Sequence, residues 1–372
     1  MNIYKYSVAI ICIWLSTVSC SDNSSGDNED IPDLRNDRLN NRLSGKLFFE
    51  GISDRNRNDI ASYIDLNTGL IENVPDSEWQ FDSESFPNSA GVRFSVNPSP
   101  FNAKEFVVVA ENCKFEFPGP EYSCILIQDF EGNYVNTFDL EGEIDSAKLS
   151  YNSEYLAIVR DLDDMWLSVY KRDGTFVDNV QTEIGSYAWM PNGSIVYVST
   201  DNQKTLVFTK PYSSIPDTQI RLPEDIPGDF IAQIAVSPSG KHIAYTMINR
   251  DNSTVLASKG IPWIIDVETL QYRQLATSPE DEDRPNIVFP TWSPDEKYIF
   301  VRVGGIPLAT LASRGIGYAI PIDIETPLIL SRHRLEKSSP EAIPVYHYDK
   351  NSNPDRDDPD IFFTASRFYW IP

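Results

Sequence analysis

One short unit recurs along this chain, and the recurrence restricts the fold more than any other feature, because a repeated supersecondary unit has few ways to bury its apolar face. Its clearest copy is Pro290-Thr291-Trp292-Ser293-Pro294-Asp295-Glu296-Lys297-Tyr298, continuing to Arg302. Further copies run from Ile234 to Thr246, from Tyr187 to Ser199 and from Ala147 to Val159, the last with Tyr151 where the others carry proline. A fifth begins at Val92-Arg93-Phe94-Ser95 and reaches Glu105–Ala110 after a small insertion. In the clear copies a short apolar strand meets a turn such as Pro191-Asn192-Gly193 or Pro238-Ser239-Gly240, where proline presets φ and Gly or Asn tolerates φ > 0. A β-branched and aromatic strand follows at once, so each unit reads as a hairpin. A second strand pair comes after it, as at Ile125–Phe130, Leu167–Tyr170 and Trp263–Val267. Four strands per unit, about 40 to 56 residues apart, is the pattern of a propeller blade.

The expected fold is therefore all-β: a six-bladed β-propeller of four-stranded antiparallel blades. Lys46–Ile52, Ile60–Leu66 and Leu70–Val74 read as the second, third and fourth strands of a blade that lacks its first. The chain ends in Trp370-Ile371-Pro372, in register with Trp292-Ser293-Pro294. The C-terminal segment is thus expected to complete the first blade and close the ring, which removes exposed sheet edges. These units resemble the Trp-Ser-Pro-Asp-Gly-Lys repeats of TolB-like propellers, themselves related in pattern to WD repeats, over nearly all of the chain from Lys46 to Pro372. The resemblance implies an interaction platform.

The N-terminus carries a different kind of signal. Lys5 precedes a largely apolar run from Val8 to Leu15, then Ser16, Thr17, Val18 and Ser19 lead to Cys20. That order matches a secretory leader, and the run is too short to span a bilayer. Cysteine at the first mature position resembles a lipobox, in which Cys20 is acylated; Thr17 departs from the usual leucine, and ordinary cleavage after Ser19 is the alternative. Ser21 is what the resemblance associates with outer-membrane sorting. The expected organisation is a leader over 1–19, an acidic tether over 20–44 that is too polar to fold, and the propeller over 45–372. The expected location is the outer membrane, on the periplasmic side or the cell surface.

With 55 acidic against 31 basic side chains and a formal charge of −24, the chain repels phosphate backbones, so nucleic acid is excluded as a partner. Anionic lipid is disfavoured too, leaving a lipid anchor as the only expected tie to a membrane. Cys113 and Cys124 are expected to face each other across the hairpin between the second and third strands of blade two, as a disulfide staple.

Catalytic chemistry has little footing. His242, His333 and His347 are scattered, no nucleophile elbow occurs, and no catalytic residue is assigned. Asp349, Asn351, Asn353, Asp355 and Asp360 have the spacing of a calcium loop, but Pro354 stands where the sharp turn needs glycine. A solvated acidic linker is the expectation there, structural calcium the alternative, and no other cofactor is expected. Trp189, Trp292 and Trp370 fall at the repeat's tryptophan position and are expected between blades; Trp166 and Trp263 lie outside it and are the better surface candidates. His242 is expected to be exposed. The Gly-rich stretch Gly304–Gly317 and residues 333–360 are where a binding face is sought. The expected function is a non-catalytic envelope protein binding another protein or peptide; the alternative is a propeller that binds or cleaves carbohydrate.

Overall fold

The computed structural model describes residues 42–49, 62–73, 94–98, 104–111, 122–129, 133–161, 165–182, 186–211, 213, 217–249, 259–282, 286–304, 315–332, 334–348, 362–363 and 368–372. Cys20, Cys113, His333 and the whole stretch Asp349 to Asp360 lie outside them, as do the expected leader over 1–19 and nearly all of the expected tether over 20–44.

Six sheets, each named here as a blade with strands a to d from the inside outward, account for almost every strand. Blade 1 contains β1 (Lys46–Phe49), β2 (Ser62–Asp65) and β3 (Ile71–Asn73) as strands b, c and d. Blade 2 is β4 (Phe94–Pro98), β5 (Glu105–Glu111), β6 (Tyr122–Asp129) and β7 (Tyr134–Glu141). Blade 3 is β8 (Glu143–Leu149), β9 (Tyr155–Asp161), β10 (Met165–Lys171) and β11 (Phe176–Thr182). Blade 4 is β12 (Tyr187–Trp189), β13 (Ile195–Val198), β14 (Thr205–Thr209) and β15 (Thr218–Arg221). Blade 5 is β16 (Phe230–Val236), β17 (His242–Asn249), β18 (Lys259–Asp266) and β19 (Tyr272–Gln274). A two-residue strand, β20 (Ala276–Thr277), then leads to blade 6, whose strands a to c are β21 (Ile287–Trp292), β22 (Tyr298–Val303) and β23 (Gly315–Pro321). Next, β24 (Leu328–Ile329) pairs in parallel with β20, tying the outer parts of blades 5 and 6. The outer strand of blade 6 comes in two pieces, β25 (Ile343–Pro344) on one half of β23 and β26 (Phe362–Phe363) on the other. Last, β27 (Phe368–Ile371) supplies strand a of blade 1: Leu47 pairs with Trp370 and Lys46 with Ile371. The expected closure by the C-terminal strand is what the sheets contain. Contacts run round the whole ring, with β27 touching β21 on one side and β4 on the other.

The repeat earns its conservation of shape from its a–b turn. In blades 3, 5 and 6 the turn serine (Ser150, Ser237, Ser293) accepts a backbone bond three residues on and closes the hairpin by bonding Tyr155, His242 or Tyr298 through both backbone and hydroxyl. Blade 4 has Met190 there, with no hydroxyl, and its turn is one residue shorter, with Ser194 N–H donating to Asn192 Oδ1 instead. One position in each turn is left-handed: Gly193 and Gly240 take it without cost, whereas Ser153 and Glu296 hold it at φ 56° and 59°, a strained choice for a residue with a Cβ. Strand c ends repeatedly in an aspartate (Asp65, Asp129, Asp266) whose carboxylate accepts backbone N–H groups of the c–d turn. These three carboxylates therefore serve turns.

The core lies between blades. Separate apolar clusters fill the seams 2–3, 3–4, 4–5, 5–6 and 6–1. Trp189, Trp292 and Trp370 are buried in three of them, as expected. Trp292 stacks on His242 of the preceding blade, and Trp370 stacks on Tyr298 in the equivalent place. Indole N–H groups donate to Lys148 O from Trp189, to Ala235 O from Trp292 and to Ser44 O from Trp370.

The structure corrects several expectations. His242 is half-buried rather than exposed, because the tryptophan of the next blade covers its ring. Trp263 is buried in the 4–5 seam, and Trp166 is half-buried. Gly315 and Gly317 belong to a buried strand and not to a loop: a Cβ on Gly315 would sit 2.7 Å from Val303 O, so strand packing explains that glycine. Residues 334–348 are largely packed, with Ala342, Ile343, Val345, Tyr346 and Tyr348 buried, and Tyr348 N–H donates to Gly69 O of blade 1. Cys124 stands opposite Ala110 on the ladder, and its expected partner Cys113 lies outside the described residues.

Candidate functional site

The axis is where a propeller gathers residues from different blades, and here its two ends differ. The a–b and c–d turns lie at one end; the b–c loops and the links between blades lie at the other. At the turn end, Tyr151 stands in the place that holds proline in blades 4, 5 and 6. Its ring packs with Trp189 and Tyr187 in the 3–4 seam, and its hydroxyl donates over 3.2 Å to Ser237 O in blade 5, passing blade 4 altogether. Burial, and then the negative charge of Glu296 in blade 6, push this phenol well above its ordinary pKa. Glu296 in turn accepts from the backbone N–H and the hydroxyl of Ser239. Gly240 approaches Pro191 so closely that a Cβ would lie 2.9 Å from its ring. Side chains of blades 3 to 6 thus lock together across the turn end, and their polar groups are spent on one another.

Toward the loop end the inner strands are irregular. β8, β16 and β21 each carry a register shift, between Ile144 and Ser146, between Ile231 and Gln233, and between Val288 and Thr291. Bulges of this kind re-aim side chains near functional surfaces. The one in β8 leaves Asp145 exposed on the strand nearest the axis. In β21 it holds Phe289 at φ 61°, with its N–H donating to Gln233 Oε1 of blade 5 at 2.7 Å and the Arg302 guanidinium 5.2 Å from its ring centre. Burial lowers the Arg302 pKa to about 10. Lys148, also on β8, donates over 2.6 Å to Tyr187 O and lies 4.3 Å from that ring.

Catalytic constellations do not assemble among the described residues. His242 Nε2 lies 3.5 Å from Asp266 Oδ2, but its Nδ1 meets no hydroxyl, so the pair is not part of a triad. The Asp266 carboxyl sits below its ordinary pKa chiefly because Thr269 donates a backbone bond to it, which is turn chemistry. Among the described residues no group of three or more His, Cys, Asp or Glu could hold a metal, and no helix is long and apolar enough to cross a membrane. The calcium-spaced residues Asp349, Asn351, Asn353, Asp355 and Asp360, and the lipidation candidate Cys20, lie outside the described residues. Cys124 is wholly buried on β6. The sequence reading missed the role of Tyr151: the departure from proline was visible, its partner 86 residues away was not.

No family model and no curated protein matches the chain. Among solved structures it is similar to TolB from Acinetobacter baumannii, with 16% identity and a TM-score of 0.48 over 75% of this chain and 61% of that one. A TolB-type protein from Agrobacterium tumefaciens gives 12% identity and a TM-score of 0.45, covering 75% of this chain and 90% of that one. A GH74 enzyme of Niastella koreensis gives 15% and 0.46, covering 76% and 44%. This chain thus spans about three fifths of the Acinetobacter protein and under half of the GH74 enzyme. At such identities and TM-scores none of these likenesses bears on activity or partner; the propeller assignment rests on the strand pairings themselves.

Proposed function

We propose that this chain is a non-catalytic envelope lipoprotein, anchored through Cys20 and stapled by a Cys113–Cys124 disulfide, whose ring receives a segment of another protein at its loop end. The observation that carries the choice of end is the Tyr151 bond to Ser237 O. A mouth crossed by a buried side chain, with the surrounding serine and carboxylate groups already paired, offers a partner little to bind. The loop end keeps Asp145 exposed on an inner strand, and the charge of −24 favours a partner segment that is basic or neutral.

The test is capture from an envelope extract with the tagged mature protein and a short-range cross-linker, followed by mapping of the linked residues. Links confined to the loop end, together with weaker capture by Asp145→Lys and unchanged capture by Asn192→Lys on the turn end, are the expected result. Links on the turn end overturn the choice of face. Binding of the same protein to a glycan array, with no protein captured, overturns the protein-binding reading in favour of the carbohydrate alternative.

A further inference from the structure

We infer that the seam between blades 4 and 5 holds a buried water, or a neutral molecule of that size, bound between Trp263 Nε1–H and the Tyr245 hydroxyl. The two residues are direct cross-strand partners on β17 and β18, so their side chains leave the sheet on the same face. Both belong to the cluster that fills the 4–5 seam. Tyr245 is 0% exposed and Trp263 9%, yet neither polar atom has a hydrogen-bond partner, the other included.

Those facts leave few alternatives. Buried polar groups in folded proteins are almost always satisfied, and each exception asks for an occupant. The facing wall from blade 4 contributes Met190, Val196, Val198 and Leu206, none of which has a side-chain acceptor suited to an indole N–H. An indole can only donate, whereas a phenol can donate and accept. A molecule that accepts from Trp263 and exchanges a hydrogen bond with Tyr245 satisfies both, which is the minimum partnership of an ordered internal water. Burial keeps the Tyr245 phenol protonated far above its ordinary range, so it retains both capacities. The contrast with the repeat tryptophans is direct, since Trp189, Trp292 and Trp370 each donate to a backbone carbonyl.

The decisive measurement is a crystal structure of the mature chain at a resolution that shows ordered waters. One density peak within hydrogen-bond distance of both atoms is the expected result. In Tyr245→Phe, which keeps the packing, the peak should weaken or vanish and Tm should fall by about 2 °C. An empty seam in the wild-type map, direct bonding of the two groups to protein atoms, or a Tyr245→Phe variant whose Tm rises would each overturn the inference. The wild-type map stands on its own, so a variant that fails to fold leaves the test intact.

Discussion

Tyr151 occupies a place where proline would have set the turn, and the exchange converts a local device into a long-range one. Its hydroxyl satisfies a carbonyl two blades away. Tyr151→Phe removes one buried hydrogen bond and leaves Ser237 O without that donor, so a loss of roughly 1 kcal/mol is expected, read as a lower urea midpoint with an unchanged slope. Tyr151→Ala adds a cavity in the 3–4 seam and should cost roughly 3–5 kcal/mol. A null effect for both would mean that the turn end is held by other contacts. At this scale the sequence displayed which residue was unusual but not why, because hydrogen bonds between distant turns have no spacing signature. The same limit applies to His242 and Trp263. Their burial comes from neighbours contributed by other blades, and period-two alternation within a strand does not report which face a neighbour covers.

Strands and turns were the most legible level. The turn serine of blades 3, 5 and 6 and the turn proline of blades 4, 5 and 6 are local chemistry, so β8, β12, β16 and β21 could be placed from residues a few positions apart. Blade 6 was the exception: its outer strand is assembled from β25 and β26, two short pieces from separate parts of the chain, and neither is long enough to show alternation. The blade 1 seam gives the sharpest prediction at this level. Gly45 has φ 91°, and a Cβ there would collide with Ile371 O, so Gly45→Ala strains the turn and crowds the closing strand together. Deleting 368–372 removes strand a of blade 1 and exposes the edge of β1. The deletion should give insoluble or unfolded protein, and Gly45→Ala a soluble protein with a lower Tm. Termini are ordinarily tolerant of such loss, so a deletion variant with the parental Tm would refute the role of β27 in closure.

Two predictions belong to the molecule as a whole. Burial pushes Tyr197 and Tyr318 up to about 12, against about 10 in an unfolded chain. A raised pKa for an acid whose neutral form is the buried one means stability intact below pH 10 and draining away between about pH 10 and 12. Alkaline titration followed at 295 nm should show late tyrosine ionisation coincident with loss of the β-sheet dichroism; ionisation of every tyrosine near pH 10 in a folded protein would contradict it. The proposed Cys113–Cys124 staple should appear as a mass two hydrogens lighter than the reduced form, and reduction should cost about 2–3 kcal/mol of stability.

The ring also has a direction. Leu43 to Lys46 joins it beside Ile371, on the side of the a–b turns that Tyr151 spans. Under the anchoring proposed at Cys20, the leading segment therefore enters the propeller on the turn side, opposite the end proposed to receive a partner. Moving the attachment to a loop would bring the tether to the receiving end without changing a single blade.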